Sequence, residues 1–196
     1  MLILASTSPW RRMLLERLQL PFETISPEVD EAPLPDETVA ERVRRLSRAK
    51  AEAVARHHPD AFVIGSDQSA EVDGVILHKP GSYARAFEQL RHLSGRTVTF
   101  HTGLCVCHAG HCVETMDRSV TRFRVLDDAL IDWYLKREQP YNCAGAIKSE
   151  GLGALLIERI ENDDPAALIG LPLLKLVDLL AELDYPFPWQ TRGSSH

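Results

Sequence analysis

Leu2-Ile3-Leu4-Ala5 is an unbroken apolar run that stops at Ser6-Thr7-Ser8-Pro9. Apolar residues without alternation, followed at once by polar ones, read as a short buried strand. Ser8 suits a helix N-cap and Pro9 the first helical position, so a helix follows directly, with Leu14, Leu15 and Leu18 as its apolar stripe. A strand handing over to a helix N-terminus points to an α/β architecture. The same handover presents free backbone N–H groups, the positive end of a helix dipole and small hydroxyls, which together suit an anion. Arg11 and Arg12 in the first turn add bidentate phosphate donors. This is no P-loop, because the Gly-rich spacing and terminal Lys-Ser/Thr are missing. The alternative is a plain N-cap with a solvated basic turn.

The pattern continues with helices and strands in alternation. Residues 21–36 carry Pro21, Pro27, Pro33 and Pro35 and read as an irregular connection. Asp36 is expected to cap a long helix to about His57, with Val39, Val43, Leu46, Ala49, Ala53 and Val54 inward and Arg42, Arg44, Arg45 and Arg48 mostly outward. Ala61–Gly65 reads as a second strand, and Asp73-Gly74 as a tight turn between two short strands. Ser82 to Ser94 reads as helix, stopped at Gly95. Two long strands, about Thr97–Cys107 and Cys112–Arg124, flank a turn at residues 108–111. Asp127 caps a helix to about Glu138, Leu155–Ile160 is strand-like, and Pro165–Leu183 reads as a very apolar last helix. Hairpins among the alternating elements predict a mixed rather than wholly parallel sheet. A single domain over residues 1–185 with a mobile tail at 186–196 is expected.

Composition narrows the function classes. The 196 residues hold 22 Lys+Arg against 28 Asp+Glu, a formal net charge of −6. That balance argues against a dedicated nucleic-acid binder. No apolar run approaches the roughly 18 residues of a membrane span, and the N-terminus lacks the basic region of a signal peptide. A cytoplasmic protein with reduced thiols at Cys105, Cys107, Cys112 and Cys143 is the expectation. Cys105, Cys107, His108, His111 and Cys112 invite a zinc reading, but their spacings match none of the common structural zinc patterns, and buried packing is the preferred reading.

Chemistry is suggested elsewhere. Gly65-Ser66-Asp67-Gln68 follows an apolar strand and so is expected at a sheet's carboxyl edge, where open α/β folds place ligands. A carboxylate there can hold Mg²⁺ or accept a proton from an attacking water, and a turn Asp capping its own backbone is the alternative. Lys50 and Lys79 can offer point charges to a polyphosphate, and Glu31 a second metal ligand, although each taken singly reads as a surface residue. Glu150, in Lys148-Ser149-Glu150 before Gly151, lies in another polar loop.

These segments resemble the Maf family of nucleoside triphosphate pyrophosphatases. The resemblance rests on residues 2–12, Pro27-Glu28-Val29-Asp30-Glu31, Arg48-Ala49-Lys50-Ala51, Ile64-Gly65-Ser66-Asp67-Gln68, Lys79-Pro80, Ser94-Gly95, Cys143-Ala144-Gly145 through Gly151, and Ile169-Gly170-Leu171-Pro172. It implies an elongated mixed α/β fold, similar to the inosine triphosphate pyrophosphatases, with two lobes around a deep cleft. It further implies cleavage of a nucleoside triphosphate to the monophosphate and pyrophosphate with Mg²⁺ or Mn²⁺. Asp67 matches the catalytic carboxylate, with Glu31 as a second metal ligand, while Ser8, Arg11, Arg12, Lys50 and Lys79 match phosphate-binding positions. Trp10, Gln68 and Glu150 match the specificity positions and resemble the subgroup acting on 7-methyl-GTP. An N7-methylated guanine is cationic, so an indole adds cation–π attraction to stacking, and a carboxylate can accept from guanine N1–H and its amine. Trp10 as a core anchor is the alternative reading. Sibling specificities toward dTTP, UTP or deaminated purines stay open, as do a non-catalytic regulator of cell division, a homodimer, and Asp67 as base or metal ligand.

Overall fold

Leu2–Ala5 form strand β1, and all four side chains are buried. The computed structural model describes residues 1–190. After β1 come α1 (Pro9–Glu16), β2 (Phe22–Ile25), α2 (Val39–Ala55), β3 (Phe62–Val72), β4 (Val75–Leu77) and α3 (Tyr83–Leu93). Then follow β5 (Thr97–His108), β6 (His111–Phe123), α4 (Asp128–Glu138), β7 (Ile157–Glu161) and α5 (Leu173–Glu182). The strands build one mixed seven-stranded sheet in the order β2-β1-β3-β5-β6-β7, with β4 added to β3. β1 lies parallel to β2 and β3, whereas β3, β5, β6 and β7 pair antiparallel in succession. The expected α/β class with a mixed sheet is therefore what forms.

Two cores flank the long central strands. Leu2, Leu4 and Ile64 pack with Leu14 and Leu15 of α1, Leu104 and Val106 of β5, and Leu176 and Leu180 of α5. At the other end of the same strands, Ala70, Val72, Val98 and Phe100 pack with Leu90 and Leu93 of α3 and Ile131 and Tyr134 of α4. The strands thus run through two lobes, and β1 stops at Ala5, opposite Gly65, while β3 continues to Val72. From Ser66 onward β3 has no β1 beside it, and a cleft opens there.

Helix α2 lies tightly across β3 and β5. A Cβ on Gly65 would come 2.5 Å from Ala51 N, and one on Gly103 would come 2.8 Å from Val43 Cγ1. Neither separation is tolerable, so the two glycines set how closely the helix approaches the sheet. Thr38 caps α2 in a capping box, its hydroxyl accepting from Glu41 N–H while Glu41 accepts from Thr38 N–H. The cap is Thr38 and not Asp36, which sits in a left-handed turn at φ 58°.

Other expectations shift for identifiable reasons. The proline-rich stretch contains β2, because Phe22–Ile25 finds the free edge of β1 and pairs with it in parallel. The last helix begins at Leu173, after Pro172, and residues 165–170 form turns. Asp164 caps it from a distance, its carboxylate accepting from Leu174 N–H at 2.6 Å and Lys175 N–H at 3.2 Å. The thiols are not all reduced: Cys107 and Cys112 face each other across the β5–β6 ladder, with Cα atoms 4.1 Å apart, and form a disulfide. His108 stacks on Phe62 on the opposite face and takes no part with the cysteines. In the expected tail, Phe187 is buried and packs edge-on against Tyr185, while residues 191–196 lie outside the described residues. No helix among the described residues is long and apolar enough to cross a membrane.

Candidate active site

A cleft of about 950 Å³ lies between the lobes. The β1–α1 handover supplies one wall through Ser6, Thr7, Ser8, Trp10 and Arg11. Ser8 caps α1 as its sequence suggests, accepting from Arg11 N–H at 3.4 Å, and Ser6 Oγ accepts from Ser8 N–H at 3.1 Å. Small hydroxyls and a helix N-terminus therefore face the cleft together. Arg11 donates from Nε to the Gly170 carbonyl at 3.0 Å, which fixes the guanidinium in the wall. Burial pulls its ionisation below the ordinary arginine value, against the opposing attraction of Asp67 and Glu31.

Asp67 stands in the middle of β3 and not beyond the strand's end, because β5 pairs with β3 well past it. It meets Lys50 from α2: Lys50 Nζ donates to Asp67 Oδ1 at 2.7 Å, and both side chains are nearly buried. Lys50 Nζ also lies 2.8 Å from Glu31 Oε1, on the loop before α2. One ammonium thus gathers two carboxylates. The hydrogen bond from Lys50 chiefly holds the Glu31 carboxyl below its usual range, with Lys79 and Arg11 adding attraction. Each pair uses a single carboxylate oxygen, so Asp67 and Glu31 each keep a second oxygen outside these ion pairs that could ligate a hard divalent cation. Ser47, one turn before Lys50, accepts from the Asp67 backbone N–H at 2.9 Å while its hydroxyl donates to Val43 O at 2.7 Å.

The structure brings Ser8, Trp10, Arg11, Glu31, Lys50, Asp67, Gln68, Lys79 and Glu150 to this one cleft. It does not bring Arg12, whose side chain points along α1 to Glu16 at 3.0 Å and is 63% exposed. Helical residues turn about 100° each, so Arg12 lies about 200° around α1 from Trp10, away from the face that Trp10 and Arg11 present to the cleft. Gln68 spends its amide hydrogens on Thr102 Oγ1, Ala167 O and Leu168 O, each at 3.0 Å. Lys148 lies 5.4 Å from the centre of the Trp10 ring and is held by the Glu138 carbonyl at 2.8 Å and its carboxylate at 3.2 Å. Trp10 is therefore a half-buried wall of the cleft and not a core anchor.

Two arginines expected to face solvent have a positioning role. Arg42 donates to the Glu31 carbonyl at 2.8 Å and Arg45 to the Ala32 carbonyl at 3.1 Å, so α2 grips the loop that carries Glu31. Arg45 also pairs with Glu37, whose carboxyl it holds down at about 2. The signal was present as arginines on one helix following a loop with a carboxylate, but periodicity alone cannot tell a solvated face from one that reaches back.

The Maf family model, described as Maf-like protein, matches residues 1–183. The chain belongs to the Maf family. Among relatives of this Maf protein, the 7-methyl-GTP pyrophosphatase of Ralstonia nicotianae is 51% identical over 187 residues, covering 94% of this chain and 96% of that one. The protein of the same name from Bordetella pertussis is 55% identical over 180 residues, covering 91% and 90%. Among solved structures, the Ham1 protein of Staphylococcus aureus aligns with a TM-score of 0.45 at 17% identity, covering 62% of this chain and 71% of that one. The Maf match covers every residue of the cleft named above.

Proposed function

We propose that this Maf protein hydrolyses 7-methyl-GTP to 7-methyl-GMP and pyrophosphate. The single observation that carries the reading is the Asp67–Lys50–Glu31 cluster in a cleft also lined by the basic Arg11 and Lys79 and by Trp10 and Glu150. Groups suited to phosphate and groups suited to a base thus share one cleft with a carboxylate. The relatives' name supplies the substrate, and the chemistry of Trp10 and Glu150 suits it. A cationic N7-methylated base stacked on the indole adds about 0.5–2 kcal/mol of cation–π attraction, and the Glu150 carboxylate can accept from guanine N–H groups.

Phosphoryl transfer needs positioning and charge neutralisation more than covalent chemistry by the protein. Lys50 and Lys79 neutralise the triphosphate, and Arg11 binds it against the α1 N-terminus, whose dipole favours its oxygens. Asp67 orients the attacking water toward the α-phosphorus and takes its proton. A divalent cation bound by Asp67 and Glu31 supplies charge stabilisation at the phosphates when present. Arg12, paired with Glu16 outside the cleft, takes no part in phosphate binding. Residues 1–185 act as one domain in the cytoplasm, on a small-molecule nucleotide and not on nucleic acid, with a homodimer as the assembly to test first.

The test is product analysis with a nucleotide panel and Mg²⁺ or Mn²⁺. Pyrophosphate and 7-methyl-GMP should form from 7-methyl-GTP, faster than products from GTP, dTTP or UTP. An intact triphosphate, or an Asp67→Asn enzyme at full rate, would sink the proposal.

A further inference from the structure

Outside the cleft, three sulfurs meet on the face of the sheet that α2 covers. Cys105 and Cys107 alternate along β5 and so point to the same side, with their Sγ atoms 3.8 Å apart. Cys112 stands directly across the ladder from Cys107 and is joined to it. The three sulfurs all lie within 4.8 Å of one another. Cys105 and Cys107 are buried, packed with Ala51 and beside Ala55 of α2, while Cys112 is half-buried at the rim. Arg48, Glu52 and Glu114 lie beyond them in a surface ion-pair group.

A tetrahedral site with metal–sulfur bonds of about 2.3 Å places its sulfurs about 3.8 Å apart. The Cys105–Cys107 spacing of 3.8 Å already meets that requirement. Opening the Cys107–Cys112 bond releases the third sulfur, which must then retreat to non-bonded distance from its former partner. The hairpin histidines contribute nothing, since His108 stacks on Phe62 on the far side of the sheet. The donors come from two strands in a Cys-x-Cys…Cys arrangement, which explains why no common zinc spacing describes them.

We propose that Cys105, Cys107 and Cys112 form a redox-gated site for a thiophilic d¹⁰ cation of the zinc type, closed as a disulfide and opened by reduction. A dithiol reductant gives two electrons and two protons to the Cys107 and Cys112 sulfurs and leaves as its own disulfide. Binding of one divalent ion then displaces the three thiol protons to solvent, forming three metal–sulfur bonds, with water at the fourth position.

The experiment is a Cd²⁺ titration of the full chain, reduced with a phosphine that does not hold the metal and then desalted under inert gas. One Cd²⁺ per chain should produce a sulfur-to-metal charge-transfer band in the near ultraviolet, with proton release and reversal by excess Zn²⁺. The disulfide form should give no band. Cys105→Ser and Cys112→Ser should each abolish it, with circular dichroism reporting that the fold persists. The comparison of reduced with oxidised protein needs no substitution, so a misfolded variant does not weaken the test. A reduced chain without the band overturns the site. So does a band that survives undiminished in both serine variants, or one of equal strength in the oxidised protein.

Discussion

The Lys50 ammonium lies 2.7 Å from Asp67, with the lysine side chain 8% and the aspartate 10% exposed. An ion pair this well covered depends on both members, because removing one leaves an uncompensated charge. Lys50→Met should therefore destabilise the fold by about 3 kcal/mol in urea unfolding. Pairing it with Asp67→Leu should recover much of that loss. Equal destabilisation of the single and double variants would show that the two charges are not coupled. Pyrophosphate release should be lost in both.

Gly65 and Gly103 should prove as important to activity as many charged residues. Gly103→Ala forces α2 off the sheet and should cost about 1–3 kcal/mol as an overpacked contact. Because α2 carries Lys50, the same substitution should lower kcat. Thermal melting and steady-state kinetics on one preparation check both outcomes.

The Arg45–Glu37 pair should leave a signature in acid. Its carboxyl titrates at about 2, below the ordinary 4.5. A depressed folded value means the pair's contribution is fully present above pH 4.5 and fades as pH falls toward 2. Arg45→Gln should return the Glu37 titration toward 4.5, measured by carboxyl-detected NMR. The stability gap between wild type and variant should narrow across that window. Because Arg45 also holds the Ala32 carbonyl, KM should rise more than kcat falls.

Base selection should reside in the indole. Trp10→Ala should reduce the preference for 7-methyl-GTP over GTP about tenfold, the equivalent of roughly 1.4 kcal/mol within the cation–π range. Glu150→Gln should lower kcat/KM for guanine nucleotides while leaving pyrimidine nucleotides little changed. Arg12→Ala should alter neither, since its side chain faces away along α1.

Local signals in the chain determined the parts that short-range physics controls. The β1–α1 handover, the Ser8 and Asp127 caps, the helix following Ser82, the Asp73-Gly74 turn and the long β5–β6 hairpin follow from apolar runs, cap chemistry and turn residues. The residue types of the cleft were legible too, because a helix N-terminus, basic groups and a carboxylate after an apolar strand carry their chemistry with them. Tertiary structure decided what depends on neighbours distant in sequence. β2 became a strand because an edge of β1 was free, and Asp67 stayed inside β3 because β5 pairs past it. Trp10 and Arg11 entered the cleft while Arg12, about 200° around α1 from Trp10, turned to Glu16. Cys107 found Cys112 because the register set them opposite each other. A sequence states what each group can bond to, whereas only packing fixes which partners come within reach.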